Sequence, residues 1–466
     1  HLSRYQGRHP GHTGAAKLLG AVRLKLGNVD GALSVLSRAA ERAGDDPQLL
    51  ALLGTAYLKK GEHARGAEYL AQAAELAPDV AALRTQLGIS RLGSGDADQA
   101  LKDLQAAVEM DPDLIQADIL LTLVHIRQRQ FDQAIQSAQA MAERHPDSPL
   151  PYNLLGAAYL GKSDREQARK FLEKALEVDP NFHSARFNLA AMHEAAGELD
   201  AAQGIYQDVL ERDADNLKAL IALARLANRE RDAKAVERYV MRAREAHPEA
   251  VEPRLALTRI YLDKGENLKA LTEARELADR HPDHSGAIQN LAMAQLAMGE
   301  TANAVRGFRR LAALQPQSAQ AQNLLATAHL RNRDADSALA AADQALALEP
   351  GNIAATVIKA GILLRRQQPE QARALAVELQ QQHPESAVGY ELQGDIEASL
   401  GRHREAVESY ERAYSLQPTA QRALALARTH RALGDPEGAL RAIREWLETE
   451  PGDSAVRLAL AGGLQG

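Results

Sequence analysis

Leucine recurs every 34 residues over the first two thirds of the chain, at ten consecutive positions. These positions are Leu19, Leu53, Leu87, Leu121, Leu155, Leu189, Leu223, Leu257, Leu291 and Leu325. Prolines follow the same period, with Ala214 as the one interruption, at Pro78, Pro112, Pro146, Pro180, Pro248, Pro282, Pro316, Pro350, Pro384 and Pro418, and Pro10 falls on the same series. Small residues form a third series at Ala32, Gly66, Ala100, Ala134, Ala168, Ala202, Ala270, Ala304, Ala338, Ala372 and Ala406. Three residue types on one period indicate that each 34-residue unit is a structural copy.

Each unit predicts two helices. Between Pro47 and Pro78, apolar residues recur at helical spacing on a first helix that ends at Gly61. A second helix begins near Glu62 and stops at Pro78, because proline cannot donate the next helical hydrogen bond. The short loop makes the two helices antiparallel neighbours.

These residues resemble the tetratricopeptide repeat (TPR) superfamily, whose signature is matched by Leu53-Gly54, by Tyr57 and by a small residue at the position that Ala100 occupies in the next unit. The resemblance implies an all-α, right-handed superhelical solenoid of about thirteen repeats. Predicted units begin at Thr13, Pro47, Ala81, Ile115, Pro149, His183, Leu217, Val251, Ser285, Ala319, Ile353, Ala387 and Ala420.

The predicted organisation is one continuous solenoid over residues 13–452, preceded at 1–12 by the tail of another repeat. Residues 453–466 form the first helix of a further, truncated repeat. Because both ends fall inside a unit and the last helix is largely apolar, we expect a fragment of a longer protein. The register slips once, by one residue, after Pro418. The turn glycine is replaced at Arg129, Ser163, Arg231, Arg333 and Gln367, which predicts local strain without a change of fold.

Composition excludes several functions. The net charge of −7, from 55 basic and 62 acidic residues, argues against nucleic acid as the main ligand, although Arg225–Arg244 is locally basic. The absence of cysteine excludes disulfides and thiolate chemistry without choosing a compartment. No apolar run approaches the roughly 20 residues of a membrane span.

No arrangement of residues predicts catalysis, so we expect no enzyme activity, cofactor or metal. Gly156–Ser163 matches a phosphate-binding loop pattern, but Gly156 falls within a predicted helix rather than after a strand. Five histidines precede a periodic proline, where a histidine favourably meets the helix dipole: His9, His145, His247, His281 and His383. His9 with His12, and His281 with His284, could touch a metal, but no further ligand supports either pair.

The remaining candidate is the concave surface that TPR proteins use for binding. Transferring the family's groove positions selects polar and aromatic residues in consecutive units: Asn153, Phe187, Asn188, Lys218, Arg225, Arg229, Arg259 and Asn290. Asparagine amides can form hydrogen bonds with the backbone of an extended peptide, and arginine can bind a carboxylate through two hydrogen bonds. Apolar groove positions are Leu120, Leu123, Leu154, Leu160, Phe187 and Leu262. The groove therefore predicts an extended peptide or partner protein, or an acidic polymer, as ligand.

Comparison with two kinds of TPR protein bears on function. The two-carboxylate clamp of chaperone adaptors is incomplete, because Lys17 stands with Ala21 where that clamp has asparagine. The segments around Pro151-Tyr152-Asn153, "LDKGENLKALTEARELADRHPD" and "GDIEASLGRHREAVESYERAYSLQP" resemble TPR-repeat lipoproteins of bacterial PEP-CTERM/exosortase systems. That resemblance implies a non-catalytic scaffold in the bacterial cell envelope, periplasmic or tethered to the outer membrane by an upstream lipid anchor, with sorting or exopolysaccharide partners.

Three alternatives stay open at this point. In the first alternative, the groove binds an acidic polysaccharide instead of a protein. In the second, the array is the targeting arm of a larger enzyme. In the third, the protein is cytoplasmic. Sequence leaves the partner, the oligomeric state and the compartment undecided.

Overall fold

Helices account for all the regular structure of the described residues, with no strand among them, and all but the first and last helix form antiparallel pairs. The structure, a computed structural model, describes residues 1–9 and 11–463. Pro10 and residues 464–466 lie outside this description, and so do the predictions that fall on them. The predicted all-α solenoid of helix pairs is confirmed.

The chain divides into two large units, His1–Tyr239 and Val240–Gly466, with the division inside one helix. From here on, 'first unit' and 'second unit' mean these two parts of the chain and not the 34-residue repeats. The first unit contains α1 (Leu2–Arg8), α2 (Thr13–Lys25), α3 (Val29–Ala40), α4 (Pro47–Lys60), α5 (His63–Leu76), α6 (Ala81–Gly93), α7 (Ala97–Met110), α8 (Ile115–Arg127), α9 (Phe131–Arg144), α10 (Pro149–Gly161), α11 (Arg165–Val178), α12 (His183–Ala196), α13 (Leu199–Arg212), α14 (Leu217–Arg229) and the start of α15 (Ala233–Ala246).

The second unit contains the end of α15 and the remaining helices. They are α16 (Val251–Asp263), α17 (Asn267–Arg280), α18 (Ser285–Ala297), α19 (Thr301–Leu314), α20 (Ala319–Arg331), α21 (Ala335–Leu348), α22 (Ile353–Arg365), α23 (Pro369–Gln382), α24 (Ala387–Ser399), α25 (His403–Leu416), α26 (Ala420–Leu433), α27 (Pro436–Thr449) and α28 (Ser454–Gly463). The first helix of each pair is an even-numbered helix from α2 to α26, and each of these begins at one of the predicted unit starts. Continuity of the array from one unit to the other stays a prediction.

The periodic residues are packing residues. Every member of the small-residue series is buried, because the two helices of a pair cross closely at that point. Nine of the ten periodic leucines are buried and Leu291 is half-buried. A Cβ added to Gly54 would lie 2.5 Å from Cγ of Leu70, so the glycine makes room for the second helix. Burial of these apolar side chains against the neighbouring pair stabilises the stack.

In some loops between pairs, a side chain donates a hydrogen bond to the carbonyl of the periodic proline. The Arg186 guanidinium donates to the Pro180 carbonyl at 2.5 Å and pairs with Asp208. Arg254 donates to the Pro248 carbonyl at 3.3 Å and pairs with the buried Glu273. Each contact gives a loop carbonyl a hydrogen-bond partner.

Five turns between the helices of a pair carry a non-glycine residue in the left-handed region. Arg129, Ser163, Arg231, Arg333 and Gln367 have φ of 60°, 67°, 61°, 62° and 58°. The predicted strain at these positions is therefore present, since an L-residue pays for this conformation and glycine does not.

First helices of successive pairs contact one another within each unit. In the first unit α4 contacts α6, α8 contacts α10 and α10 contacts α12; in the second, α16 contacts α18 and α20 contacts α22. One side of each unit is therefore lined by first helices, and we call it the first-helix face. The predicted groove residues belong to helices of this face.

Candidate binding pocket on the first-helix face

A pocket of about 450 Å³ lies on the first-helix face of the first unit. It is formed by α12, α13 and α14 and lined by Phe187, Asn188, Ala191, Glu194, Tyr206, Lys218, Ile221, Ala222 and Arg225. The spacing explains why these side chains meet, because on each first helix they recur at three- and four-residue intervals and so share one face. Tyr206 comes from the second helix between them.

Lys218 and Arg225 are the two exposed cations that line this pocket, and they differ in their partners. Its Nζ lies 4.1 Å from the centroid of the Phe187 ring, and the Phe187 side chain is almost buried. Among the described residues Lys218 has no carboxylate partner. Attraction to an aromatic face is modest at an exposed site, so the ammonium keeps most of its capacity to bind an anion.

Asn188 and Asn153 form an amide contact between successive first helices. Nδ2 of Asn188 donates to Oδ1 of Asn153 at 2.8 Å, and Asn153 is only 8% exposed. The Asn153 amide is therefore used mainly within the protein, whereas Asn188 lines the pocket and is available to a ligand.

Glu194 is the carboxylate partner of two arginines, Arg225 in the pocket and Arg229 beside it. Its Oε1 accepts hydrogen bonds from the Tyr206 hydroxyl and from Nη2 of Arg225, each at 2.7 Å. Nη1 of Arg229 lies 3.9 Å from Oε2 of the same carboxylate. Burial raises the pKa of Tyr206 above its usual value, and donation to Glu194 raises it further, so the hydroxyl keeps its proton.

Four of the eight predicted ligand-binding residues line this one pocket: Phe187, Asn188, Lys218 and Arg225. Arg229 lies beside it through Glu194. Arg259 and Asn290 belong to the second unit, where Arg259 is exposed and Asn290 donates to the Leu255 carbonyl at 3.0 Å. Whether a ligand touches any of the eight stays a prediction.

One apolar groove prediction is wrong. Leu154 is 3% exposed and packs into the core with Ala134 and Met141, because it faces the preceding second helix. Leu123 is 45% exposed on the first-helix face, and Leu120, Leu160 and Leu262 are half-buried.

Sequence reasoning missed Glu194 and Tyr206. A signal for both existed, because Tyr206 occupies the second-helix position at which Leu172 and Leu70 pack. A buried tyrosine hydroxyl needs an acceptor, and a carboxylate one helix away can supply it.

One histidine of each pair considered for metal binding accepts a hydrogen bond within the protein. Nδ1 of His12 accepts from the Ala15 amide at 3.0 Å, and Nδ1 of His284 accepts from the Ala287 amide at 3.3 Å. Both histidines therefore cap helix N-termini through Nδ1. Within the described residues, no three histidine or acidic side chains are grouped as metal ligands.

The phosphate-loop pattern has a different setting in the structure. Gly156 lies inside α10 and leaves room for Leu172, while Lys162 pairs with Asp132 at 2.7 Å after the helix ends.

None of the described helices has both the length and the apolar character that a bilayer span requires.

Models of the tetratricopeptide repeat match residues 91–158, 159–226 and 398–462, and also 8–81 and 359–421. Together they cover more than half of the chain. The chain belongs to the TPR superfamily. A model of anaphase-promoting complex, cyclosome, subunit 3 matches residues 297–379 of this TPR chain. No curated protein sequence matched.

Solved TPR-type structures resemble the chain at low identity. The APC/C hetero-tetramer Cut9–Hcn1 has a TM-score of 0.41 and 14% identity, covering 98% of both chains. Yeast Tom70 has a TM-score of 0.42 and 16% identity, covering 96% of this chain and 100% of its own. YrrB, described as a TPR protein with an unusual peptide-binding site, has 0.35 and 19%, covering 40% and 95%.

Proposed function

We propose that this TPR protein is a non-catalytic interaction scaffold that holds an extended segment of a partner protein on the first-helix face of its first unit. An acidic side chain of that segment binds Lys218. The observation that carries the proposal is the Lys218 ammonium, exposed in a pocket and held over Phe187 without a carboxylate partner among the described residues.

The lining of the pocket favours a peptide over a sugar. Ala191, Ile221 and Ala222 supply apolar surface beside Lys218 and Asn188. A glutamate or aspartate side chain presents methylene groups and a carboxylate to such a lining, while the Asn188 amide can bond the peptide backbone. A uronate ring carries hydroxyl groups around its edge, which these apolar side chains would leave without partners.

A peptide array tests this proposal. Capped decapeptides with one glutamate scanned through an alanine–serine background are probed with the purified chain, and hits are measured by fluorescence anisotropy. We expect Lys218→Glu to abolish binding of the glutamate peptides. The matched control is Lys170→Glu, since Lys170 lies 5.9 Å from the Phe171 ring on α11 but outside the pocket.

Three outcomes contradict the proposal. These are no array binding by the wild type, equal loss in both lysine variants, and binding of oligogalacturonate in place of peptide with the same dependence on Lys218. The last outcome would favour the acidic-polysaccharide alternative.

We also propose that the partner belongs to a bacterial envelope system of the PEP-CTERM/exosortase type. The resemblance of the segments quoted above supports this context. Fractionation of cells that express the tagged full-length gene product tests it. Recovery with the periplasm or outer membrane is expected, and recovery with the cytoplasm contradicts it.

A further inference from the structure

We propose that Glu194 determines the ligand charge that the pocket accepts, by holding Arg225 so that Lys218 alone receives an anion. The pocket then selects a side chain with one carboxylate over one with two. This inference rests on the proposed peptide-binding function.

The position of Glu194 supports this role. Its side chain is 11% exposed, and its Oε1 is bonded by both Tyr206 and Arg225. Tyr206 is 4% exposed and has no freedom to follow a moving partner. The carboxylate is therefore fixed at the side of the pocket, and a hydrogen bond from a cation to a carboxylate is among the stronger ones available.

Charge within the pocket follows from this pairing. Lys218 and Arg225 contribute two positive charges and Glu194 one negative charge among the lining residues. One unpaired positive charge remains, at Lys218. A second ligand carboxylate would lie near Glu194 and compete with it for Arg225, and like charges at short range repel.

The arginine is nevertheless within reach of a ligand once it is released. Arg225 is 59% exposed in its side chain and lines the pocket on α14, about two helical turns beyond Lys218. Neutralising Glu194 would therefore add a second anion-binding group without a new residue. Glu194→Gln keeps an oxygen that can accept from Tyr206, so the substitution changes charge more than packing.

The test uses one array-selected decapeptide in three versions, with glutamine, glutamate or γ-carboxyglutamate at the selected position. For the wild type we expect glutamate to bind better than glutamine and also better than γ-carboxyglutamate. For Glu194→Gln, the γ-carboxyglutamate peptide should gain about tenfold, the size of one hydrogen bond between charged groups. Tyr206→Phe, which keeps the pairing of Glu194 with Arg225, should keep the wild-type ranking.

Equal gains for both acidic peptides in Glu194→Gln, or tighter binding of γ-carboxyglutamate than of glutamate by the wild type, would overturn this inference and leave the proposed function intact. Absence of binding by any peptide contradicts both. The ranking of the three peptides within each variant is independent of small changes in stability, and circular dichroism of each variant identifies misfolding.

Discussion

Each unit contains a second-helix tyrosine that donates to a first-helix carboxylate, and the surroundings of that carboxylate differ. In the first unit Glu194 accepts from Tyr206 and also from Arg225. In the second, Asp395 accepts from the Tyr410 hydroxyl at 2.5 Å. Among the described hydrogen bonds, Arg428 makes none to Asp395 and acts on it only through its charge.

The tyrosines and arginines of the two sites occupy equivalent positions. Tyr206 and Tyr410 are each the 24th residue counted from the start of their first helix, and Arg225 and Arg428 are each the ninth of theirs. The carboxylates do not correspond, since Glu194 is twelfth in α12 and Asp395 is ninth in α24. A buried tyrosine hydroxyl therefore requires an acceptor, but neighbouring side chains decide whether an arginine completes the site.

Removing the carboxylate should give the largest difference between the two sites. Glu194→Ala leaves the buried Tyr206 hydroxyl unpaired and ends two ionic contacts, so we expect local destabilisation of about 2 kcal/mol. Asp395→Ala also leaves Tyr410 unpaired but removes a carboxylate that is already costly to ionise, so about 1 kcal/mol is expected. Hydrogen exchange of α12–α14 and α24–α26 measures each locally, because repeat arrays do not unfold as one unit.

Tyr206→Phe and Tyr410→Phe are the controls for this comparison. If each abolishes most of the effect of the matching carboxylate substitution in a double-mutant cycle, the tyrosine is the partner that matters. Equal costs for Glu194→Ala and Asp395→Ala would show that Arg225 contributes nothing measurable.

The sequence predicted the helix pairs well because their signal is repeated. Each periodic residue, such as Leu53 or Ala100, solves the same packing problem as its copies, and the copies reinforce one another. The pocket was predicted less completely, because Tyr206 and Glu194 lie on different helices and recur only once in altered form. Arg225 was correctly placed on the first-helix face, but its pairing with Glu194 depends on side-chain reach that periodicity does not encode.

A change of pH should alter the stability contributions of two carboxylates, Asp395 and Asp208, in opposite directions. Burial raises the pKa of Asp395, and the Tyr410 hydrogen bond only partly offsets it. Burial would also raise the pKa of Asp208 in the first unit, but hydrogen bonds and charges of Arg186 and Arg212 bring it below its usual value. The contribution of Asp395 to stability is thus complete below the unfolded pKa of about 3.9 and lost as pH rises through its folded pKa. The contribution of Asp208 is present above about 3.9 and lost as pH falls through its own folded pKa.

We therefore expect acidification from neutral pH to weaken hydrogen-exchange protection around Asp208 and to strengthen it around Asp395. Hydrogen exchange, corrected for its intrinsic pH dependence, measures both regions in one sample. Asp208→Asn and Asp395→Asn should each abolish the response of its own region only. The same sign of response at both sites would contradict the assignment.

The smallest expected effect concerns the turns that follow the two arginine-bearing helices. Arg231 after α14 has φ of 61°, whereas Gly434 after α26 has φ of 84°. Arg231→Gly should relieve left-handed strain and stabilise the end of α14 by about 0.5 kcal/mol, since part of the gain is lost to glycine's freedom in the unfolded chain. Gly434→Arg should destabilise the end of α26 by a similar or larger amount, for the same reason in reverse. Arg231→Ala is the control, because alanine removes the side chain but keeps the strain; a gain in hydrogen-exchange protection equal to that of Arg231→Gly would locate the effect in the charge of Arg231 rather than in its backbone.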